Sequence, residues 1–236
     1  MNERISIETP DGSFDAYVAR PQADHAPSIV VIQEIFGINA DIRAQCDALA
    51  EKGYIAVAPD LFWRLQPGVE LSDGSKEEWA KAMALYKAFD IEAGVRDIAA
   101  TMGRARSMSG ASGKIGVMGF CLGGLMTFLS AARNHPDAAV SYYGGRTSDH
   151  ISEMSKVTCP LMIHLGEADE YIPKPAQETI RIAAAPKDNV ELFIYPGQNH
   201  AFARVNGMHF NAEAAALANE RTDAFFSKHL EKASQS

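Results

Sequence analysis

Cysteine is scarce in this sequence, and its spacing excludes two common kinds of site. Three cysteines, Cys46, Cys121 and Cys159, occur among 236 residues. An odd number of widely separated cysteines is not the pattern of a disulfide framework or of a zinc site. We therefore expect no metal and no cofactor, and we expect free thiols of the kind that persist in a reducing cytoplasm.

Positive charge and long apolar runs are also lacking. The net charge is −8 at neutral pH, so the chain has no basic excess of the kind that binds nucleic acid or an anionic membrane. No apolar run approaches the length of a membrane span, and the first residues have no signal-peptide pattern. These absences predict a cytoplasmic protein with a small-molecule substrate and no nucleic acid or membrane partner, present as a monomer or small homo-oligomer.

Linkers, repeats and low-complexity segments are absent as well, and short β-branched runs instead alternate with helical patterns along the whole chain. Ser28 to Ile32 and Tyr54 to Ala58 are typical of strands buried on both faces, and Asn39 can cap a helix between them. The alternation predicts a single α/β domain, residues 1–236, with a mostly parallel central sheet covered by helices on both faces. A tight turn at residues 10–12 predicts an antiparallel edge at the N-terminus.

The most informative segment is Gly119-Phe120-Cys121-Leu122-Gly123. It joins a strand-like run to a helical pattern and matches the G-x-S-x-G nucleophile elbow, with cysteine in the serine position. Such a turn lifts the central side chain clear of the sheet, and its glycines leave room for neighbouring backbone. It also places Cys121 at a helix N-terminus, where the helix dipole favours a thiolate. Cys121 is therefore the candidate nucleophile, and a buried structural cysteine is the alternative.

An acid and a base for this nucleophile are expected in loops after later strands, first Asp or Glu and then His. Asp169 follows the strand-like run 160–165, and His200 follows the run 190–195. Because the carboxyl ends of parallel strands share one edge of the sheet, Cys121, Asp169 and His200 are predicted to converge there. The imidazole would activate the thiol and the carboxylate would orient the imidazole. Glu167 and Glu170 are alternative acids, and the six other histidines have no such placement.

An oxyanion hole needs two backbone N–H groups that point at the same oxygen. The residue after the nucleophile, Leu122, is expected to supply one of them. The loop after the strand at Ser28 to Ile32 is expected to supply the other, at about Ile35.

Four segments together resemble the dienelactone hydrolases, which are also called carboxymethylenebutenolidases. They are Gln33 to Gly37, Gly119 to Gly124, the loop at Asp169, and His200 to Arg204. The resemblance covers nearly the whole chain. It implies an α/β-hydrolase fold, a Cys-His-Asp triad, and hydrolysis of a cyclic enol ester to an open-chain keto acid.

The resemblance also implies roles outside the triad. Glu34 matches a glutamate that interacts with the thiol and influences its activation, although a structural hydrogen bond or ion pair is an equal alternative. Arg64 and Arg204 match arginines that contact the substrate carboxylate, which a guanidinium can bind with two parallel hydrogen bonds; solvated surface arginines are the alternative. Four aromatic residues are predicted either to line the pocket or simply to pack near it: Phe36, Trp63, Tyr143 and Phe202.

A cysteine nucleophile narrows the substrate class. Thiolate is a better leaving group than an alkoxide, so the adduct of an ordinary alkyl ester reverts, whereas an enolate leaves readily. We therefore predict hydrolysis of a small anionic enol lactone through a thioester acyl-enzyme. Another activated ester, lactone or thioester is the alternative substrate. A non-catalytic thiol-based binding or redox-sensing protein is the alternative of another class.

Overall fold

The computed structural model describes residues 2–230. Within that range the chain forms eight strands, six α-helices and one 3₁₀ segment (Thr147–Lys156). The strands are β1 (Asn2–Thr9), β2 (Gly12–Ala19), β3 (Ala26–Ile32), β4 (Ile55–Pro59), β5 (Ala111–Phe120), β6 (Ala138–Tyr142), β7 (Leu161–Gly166) and β8 (Val190–Tyr195). The helices are α1 (Ala40–Glu51), α2 (Lys76–Ala88), α3 (Ile91–Arg106), α4 (Leu122–Arg133), α5 (Lys174–Ala184) and α6 (Ala212–Leu230).

The described chain divides into two compact units, which are treated separately below. The first unit comprises residues 2–116 together with residue 230, and the second comprises residues 117–229. The boundary falls inside β5. One domain over residues 1–236 therefore stays a prediction, and residues 1 and 231–236 of that range lie outside the described part.

The first unit contains four strands in the order β1-β2-β4-β3. β1 pairs antiparallel with β2, as the turn at residues 10–12 predicted, and β2 pairs antiparallel with β4. β3 and β4 are parallel, and both are buried along their whole length. Asn39 caps α1 as predicted, since its side-chain oxygen accepts the N–H of Ile42 at 3.2 Å. Helices α1 and α3 pack on these strands.

Residues 76–106 form two successive helices, α2 and α3. α2 ends where Phe89 takes an extended backbone conformation. Asp90 then caps α3, because its side chain accepts the N–H of Ala93 at 3.0 Å. An aspartate that bonds to the backbone ahead of it favours a new helix start over continuation of the preceding helix.

The second unit contains β6, β7 and β8, which lie side by side and are all parallel. β6 and β7 are completely buried, which explains why their sequences are mostly apolar and do not alternate between apolar and polar residues. α4 packs on β6, and α5 packs on β8. Because the three strands are parallel, the loops that follow them open at one edge of the sheet. The sheet and helices confirm the predicted α/β class.

Candidate active site

Cys121 lies at the turn between β5 and α4, where the sequence placed it. Its backbone angles are φ 56° and ψ −113°, a conformation that L-residues rarely adopt. Its N–H donates to the carbonyl of Tyr142 at 3.1 Å, and its own carbonyl accepts the N–H of Gly124 at 3.0 Å. The side chain is half-buried. A strained conformation held by backbone hydrogen bonds is the expected geometry of a nucleophile elbow.

Close backbone contacts explain two glycines of the elbow. A Cβ on Gly119 would lie 2.3 Å from the carbonyl oxygen of Gly123. A Cβ on Gly124 would lie 2.4 Å from the carbonyl oxygen of Tyr142. Both distances are far shorter than van der Waals contact, so any larger residue would push α4 away from the strand ends.

Asp169 and His200 meet as predicted from their loops. The Nδ1 atom of His200 lies 2.8 Å from Oδ2 of Asp169, and both side chains are buried. The N–H of His200 donates to the side-chain oxygen of Asn199 at 2.7 Å. Gly166, the last residue of β7, allows the two loops to approach, because a Cβ there would lie 2.5 Å from the carbonyl oxygen of Gln198.

The surroundings of the three acidic residues distinguish Asp169 from its alternatives. Its second oxygen, Oδ1, accepts the N–H groups of Tyr171 at 2.8 Å and Ile172 at 3.2 Å, so the carboxylate is fixed from both sides. Glu167 is exposed and pairs with Lys174 at 3.0 Å. Glu170 is exposed. Asp169 is thus the carboxylate that can orient the imidazole.

Cys121 is close enough to the ring of His200 for its charge and hydrogen bonding to shift the pKa of the imidazole. Because Asp169 bonds to Nδ1, Nε2 is the ring nitrogen that is available to the sulfur. Burial by itself lowers the pKa of His200, but the negative charges and hydrogen bonds of Cys121 and Asp169 outweigh it and raise the pKa from 6.5 to about 10. The imidazolium form of His200 is therefore favoured at neutral pH.

Leu122 is the first residue of α4 and is buried. The N–H groups of a first helical turn have no carbonyl partner within the helix. The N–H of Leu122 follows the nucleophile directly and can serve a developing oxyanion. Its assignment to the oxyanion hole stays a prediction.

The first unit carries Glu34, Ile35 and Phe36 in the loop after β3, and all three are buried. Gln33 shapes this loop, since its side-chain oxygen accepts the N–H of Leu61 at 3.1 Å. Phe36 packs against Trp79 of α2, with ring centroids 5.8 Å apart. The roles of Glu34 in thiol activation, Ile35 in the oxyanion hole and Phe36 in the pocket stay predictions.

Arg64 is engaged by carboxylates of its own unit. Its guanidinium forms two hydrogen bonds with Asp97, a residue only 1% exposed, and it also bonds to Asp11 at 2.7 Å. Trp63 donates its ring N–H to Asp97 at 3.0 Å, and the guanidinium lies 4.2 Å from the centroid of that ring. Substrate binding by Arg64 and Trp63 stays a prediction, but the observed contacts give both a structural role.

The other predicted pocket residues lie close to His200. Tyr143 is fully buried, with φ 38°, and its ring centroid is 5.1 Å from that of His200. Phe202 is also fully buried and packs edge-on against Tyr143 at 5.6 Å. Arg204 is half-buried, and its side chain runs beside Gly207, where a Cβ would lie 2.6 Å from Nε. Substrate contact by these three residues stays a prediction.

Sequence reasoning missed Tyr171. Its ring contacts the outer side of His200 in a T-shaped arrangement, with centroids 4.9 Å apart, and it is 52% exposed. His200 therefore lies between a buried tyrosine, Tyr143, and an exposed one, Tyr171. The only hint of a site role for Tyr171 was its position two residues after Asp169. Nothing in the sequence showed that the Tyr171 ring contacts His200.

Comparison with known proteins agrees with this geometry. The model of the dienelactone hydrolase family matches residues 14–230. The chain is 39% identical over 222 residues to a carboxymethylenebutenolidase of Pseudomonas putida, covering 94% of each chain. It is 45% identical to a candidate carboxymethylenebutenolidase of Azospirillum brasilense, covering 93% of this chain and 95% of that one. The crystal structure of a candidate dienelactone hydrolase from Klebsiella pneumoniae has a TM-score of 0.86 at 29% identity, with 97% of this chain and 98% of that one covered.

The chain belongs to the dienelactone hydrolase family. The resemblance seen in the sequence is therefore confirmed, as is the α/β-hydrolase fold with its mostly parallel sheet. Membership also confirms the prediction of a hydrolase that acts on esters, and hence of a small-molecule substrate. Among residues 2–230, no helix is long and apolar enough to cross a membrane.

Proposed function

We propose that the protein hydrolyses a small anionic enol lactone of the dienelactone type, through a triad of Cys121, His200 and Asp169 and a thioester intermediate. The observation that carries the proposal is the buried hydrogen bond between Asp169 and His200, whose ring also responds to the charge of Cys121. A thiol that only binds or senses oxidants does not need a base held in place by a buried carboxylate. The names of the relatives, carboxymethylenebutenolidases, support the substrate class.

Acylation starts from the thiolate–imidazolium pair. The sulfur attacks the lactone carbonyl, and the negative charge that develops on the carbonyl oxygen is stabilised by the N–H group of Leu122. The ring C–O bond then breaks, and its electron pair leaves with the enol oxygen. The imidazolium of His200 supplies the proton that neutralises the enolate. The acyl group stays attached to sulfur as a thioester, and His200 is left neutral.

The electrostatics of the site change in the direction that deacylation requires. Once Cys121 is acylated, its negative charge no longer raises the pKa of His200, while burial still lowers it. The imidazole can therefore remain neutral and accept a proton from water, which attacks the thioester. Collapse of this second adduct releases a carboxylate and regenerates the thiolate. The sum of both halves is lactone plus water giving the open-chain keto acid.

The anionic group of the substrate needs a cation, because the chain has a net charge of −8. Arg204 is our proposed partner for it, since this residue lies four positions after His200 in the sequence and its side chain is half-buried. A charge-assisted hydrogen bond of this kind contributes about 1.5–3 kcal/mol. Replacing Arg204 with Ala is therefore expected to raise KM about 10- to 100-fold for substrates that carry a carboxylate.

The experiment is a comparison of turnover by the parent protein, Cys121→Ala and Asp169→Asn on a dienelactone and on an aryl acetate. We expect Cys121→Ala to lose at least about 10³-fold in kcat and Asp169→Asn about 10²–10⁴-fold. If the parent protein hydrolyses other activated esters or thioesters but no dienelactone, the substrate is one of those compounds and not a dienelactone. Reversible oxidation of Cys121 without turnover of any ester would favour the redox-sensing alternative.

A further inference from the structure

A buried histidine outside the proposed triad joins the strands of the second unit to α6. His164 lies on β7 and has no exposed surface. Its Nδ1 atom is 2.9 Å from the hydroxyl of Tyr195, at the end of β8. Its Nε2 atom is 3.1 Å from the hydroxyl of Thr222 on α6. One ring thus makes two hydrogen bonds to two different elements.

The hydrogen bonds continue beyond both partners of this ring. On one side, a guanidinium nitrogen of Arg221 donates to the hydroxyl of Tyr195 at 3.1 Å. On the other side, the hydroxyl of Thr222 is 2.6 Å from that of Tyr142, at the end of β6. The hydroxyl of Tyr142 in turn donates to the side-chain oxygen of Asn219 at 3.0 Å. We refer to the six residues as the His164 network: Tyr142, His164, Tyr195, Asn219, Arg221 and Thr222.

The chemistry of the two ends constrains the directions of the bonds in the network. Tyr142 gives its hydrogen to Asn219, so the contact with Thr222 must be donated by Thr222. Thr222 has then used its only hydrogen and must accept from His164, so Nε2 carries a proton. A guanidinium can only donate, so the oxygen of Tyr195 accepts from Arg221 and its own hydrogen is available for Nδ1 of His164. With that hydrogen donated to Nδ1, the ring is neutral.

The environment of the ring agrees with a neutral state. Burial, together with the smaller effect of the nearby charge of Arg221, lowers the pKa of His164 from 6.5 to about 3. Arg221 is held in place by the ring of Phe193, whose centroid is 4.1 Å from the guanidinium carbon. Each polar atom of His164 is thus satisfied without a buried charge on the ring.

The network supports the backbone positions from which the proposed triad is built. The carbonyl of Tyr142 accepts the N–H of Cys121 at 3.1 Å, and the carbonyl of His164 accepts the N–H of Tyr143 at 2.8 Å. The carbonyl of Tyr195 accepts N–H groups from Glu167 at 2.9 Å and Gln198 at 3.2 Å, which belong to the loops of Asp169 and His200. The strand ends that hold the nucleophile, the acid and the base are therefore tied to one side-chain network.

We infer that His164 is a positioning residue of the active site, which acts through its hydrogen bonds to Tyr195 and Thr222 as an Nε2-protonated neutral ring. This inference rests on the proposed triad. Loss of the network would let the strand ends shift by fractions of an ångström. A misplacement on the order of 1 Å can reduce a catalytic rate about 100-fold.

The tautomer can be tested directly by NMR of the full-length protein with ¹⁵N-labelled histidine. We expect the His164 ring to be neutral and to carry its proton on Nε2 at pH 7. A ring that is protonated on Nδ1, or on both nitrogens, would overturn the inference.

The positioning role can be tested with His164→Leu and Thr222→Val, of which the second removes one hydroxyl at nearly constant volume. Thr179→Val is the matched control, because it makes the same substitution on α5, where the hydroxyl donates to the carbonyl of Pro175 at 2.9 Å and is not part of the His164 network. The measurements are kcat and KM, together with the rate at which iodoacetamide alkylates Cys121. We expect both network variants to lower kcat and the alkylation rate about tenfold or more, while KM stays within twofold of the parent value. The control should leave these three quantities unchanged and lower only Tm.

Unchanged alkylation rates in Thr222→Val and in folded His164→Leu would overturn the inference, as would an equal loss in Thr179→Val. Alkylation needs no substrate, so it also distinguishes this inference from the proposed function. If the parent protein hydrolyses no lactone or activated ester, yet the alkylation rates follow the expected order, the proposed function fails while the positioning role stands.

Discussion

At the scale of single residues, His200 decides how the proposed triad responds to pH. Its raised pKa means that the folded chain favours the imidazolium more than the unfolded chain does. The stability gained in this way is fully present below pH 6.5 and is lost as the pH rises through about 10. The imidazolium form of His200 should therefore persist across the neutral and moderately alkaline range.

We expect the acylation rate, measured as kcat/KM on an aryl acetate, to fall as the pH rises through about 10, where His200 loses its proton. Asp169→Asn removes one of the charges that raise this pKa, so its alkaline limb should move to lower pH. An alkaline limb centred near pH 6.5 in the parent protein would contradict the proposed pairing with Cys121.

Arg64 offers a second test at the same scale, because its observed contacts favour a structural role. Arg64→Ala would leave the carboxylate of Asp97 buried without its cation. Removing one partner of a fully buried ion pair costs about 3–5 kcal/mol, and the cost here should lie at the lower end, since the Arg64 side chain is 27% exposed. Urea denaturation measures this change in the free energy of unfolding.

The matched control for Arg64 is Asp11→Asn, which removes an exposed partner of the same guanidinium and should cost about 0–1 kcal/mol. If Arg64 also binds substrate, KM for carboxylate-bearing esters will rise in Arg64→Ala and KM for neutral esters will not. Unchanged stability in Arg64→Ala together with a selective rise in KM would favour the substrate role over the structural one.

At the scale of elements, the site depends on how closely the loops after β7 and β8 approach each other. Gly166 is the point of closest contact, since a Cβ there would lie 2.5 Å from the carbonyl oxygen of Gln198 and 2.8 Å from that of Asn199. Gly166→Ala should separate the loops that carry Asp169 and His200. We expect kcat to fall about 100-fold or more, because the acid and base would no longer be aligned.

Gly145→Ala is the control for Gly166→Ala. Gly145 lies in the same unit, and a Cβ there would meet no atom within 4 Å. Its kcat should stay within about twofold of the parent value. Equal kcat values for the two variants would show that the close approach at Gly166 does not matter for the site.

The elements could be predicted from the sequence where their patterns are local. The elbow at Cys121 was predictable because strand, glycine turn and helix follow one another within a few residues. The break between α2 and α3 at Asp90 was also a local signal, since aspartate is a common helix cap.

The partners of Arg64 and of His164 were not predictable, because Asp97 lies 33 residues from Arg64 and Thr222 lies 58 residues from His164. Such contacts depend on packing between elements and leave no pattern in the sequence.

At the scale of the whole molecule, alternating strands and helices predicted a mostly parallel α/β sheet. The resemblance to the dienelactone hydrolases implied the α/β-hydrolase fold, which the comparisons confirm. The fold does not by itself say how many parts of the chain unfold cooperatively, because the described chain has two compact units. We predict a single domain, and therefore a single calorimetric transition in which the calorimetric and van't Hoff enthalpies agree. Two resolved transitions would contradict this prediction and assign separate stabilities to the two units.

The measurement that tests the central claim most directly is intact-protein and peptide mass spectrometry of the enzyme quenched by acid during turnover of a dienelactone. Because a lactone opens without losing any atoms, the acyl-enzyme should be heavier than the free chain by the full mass of the substrate. We predict that this added mass lies on the peptide that contains Cys121 and is absent in Cys121→Ala. Hydrolysis by Cys121→Ala at the parent rate, or an acyl group attached to a different residue, would contradict the account.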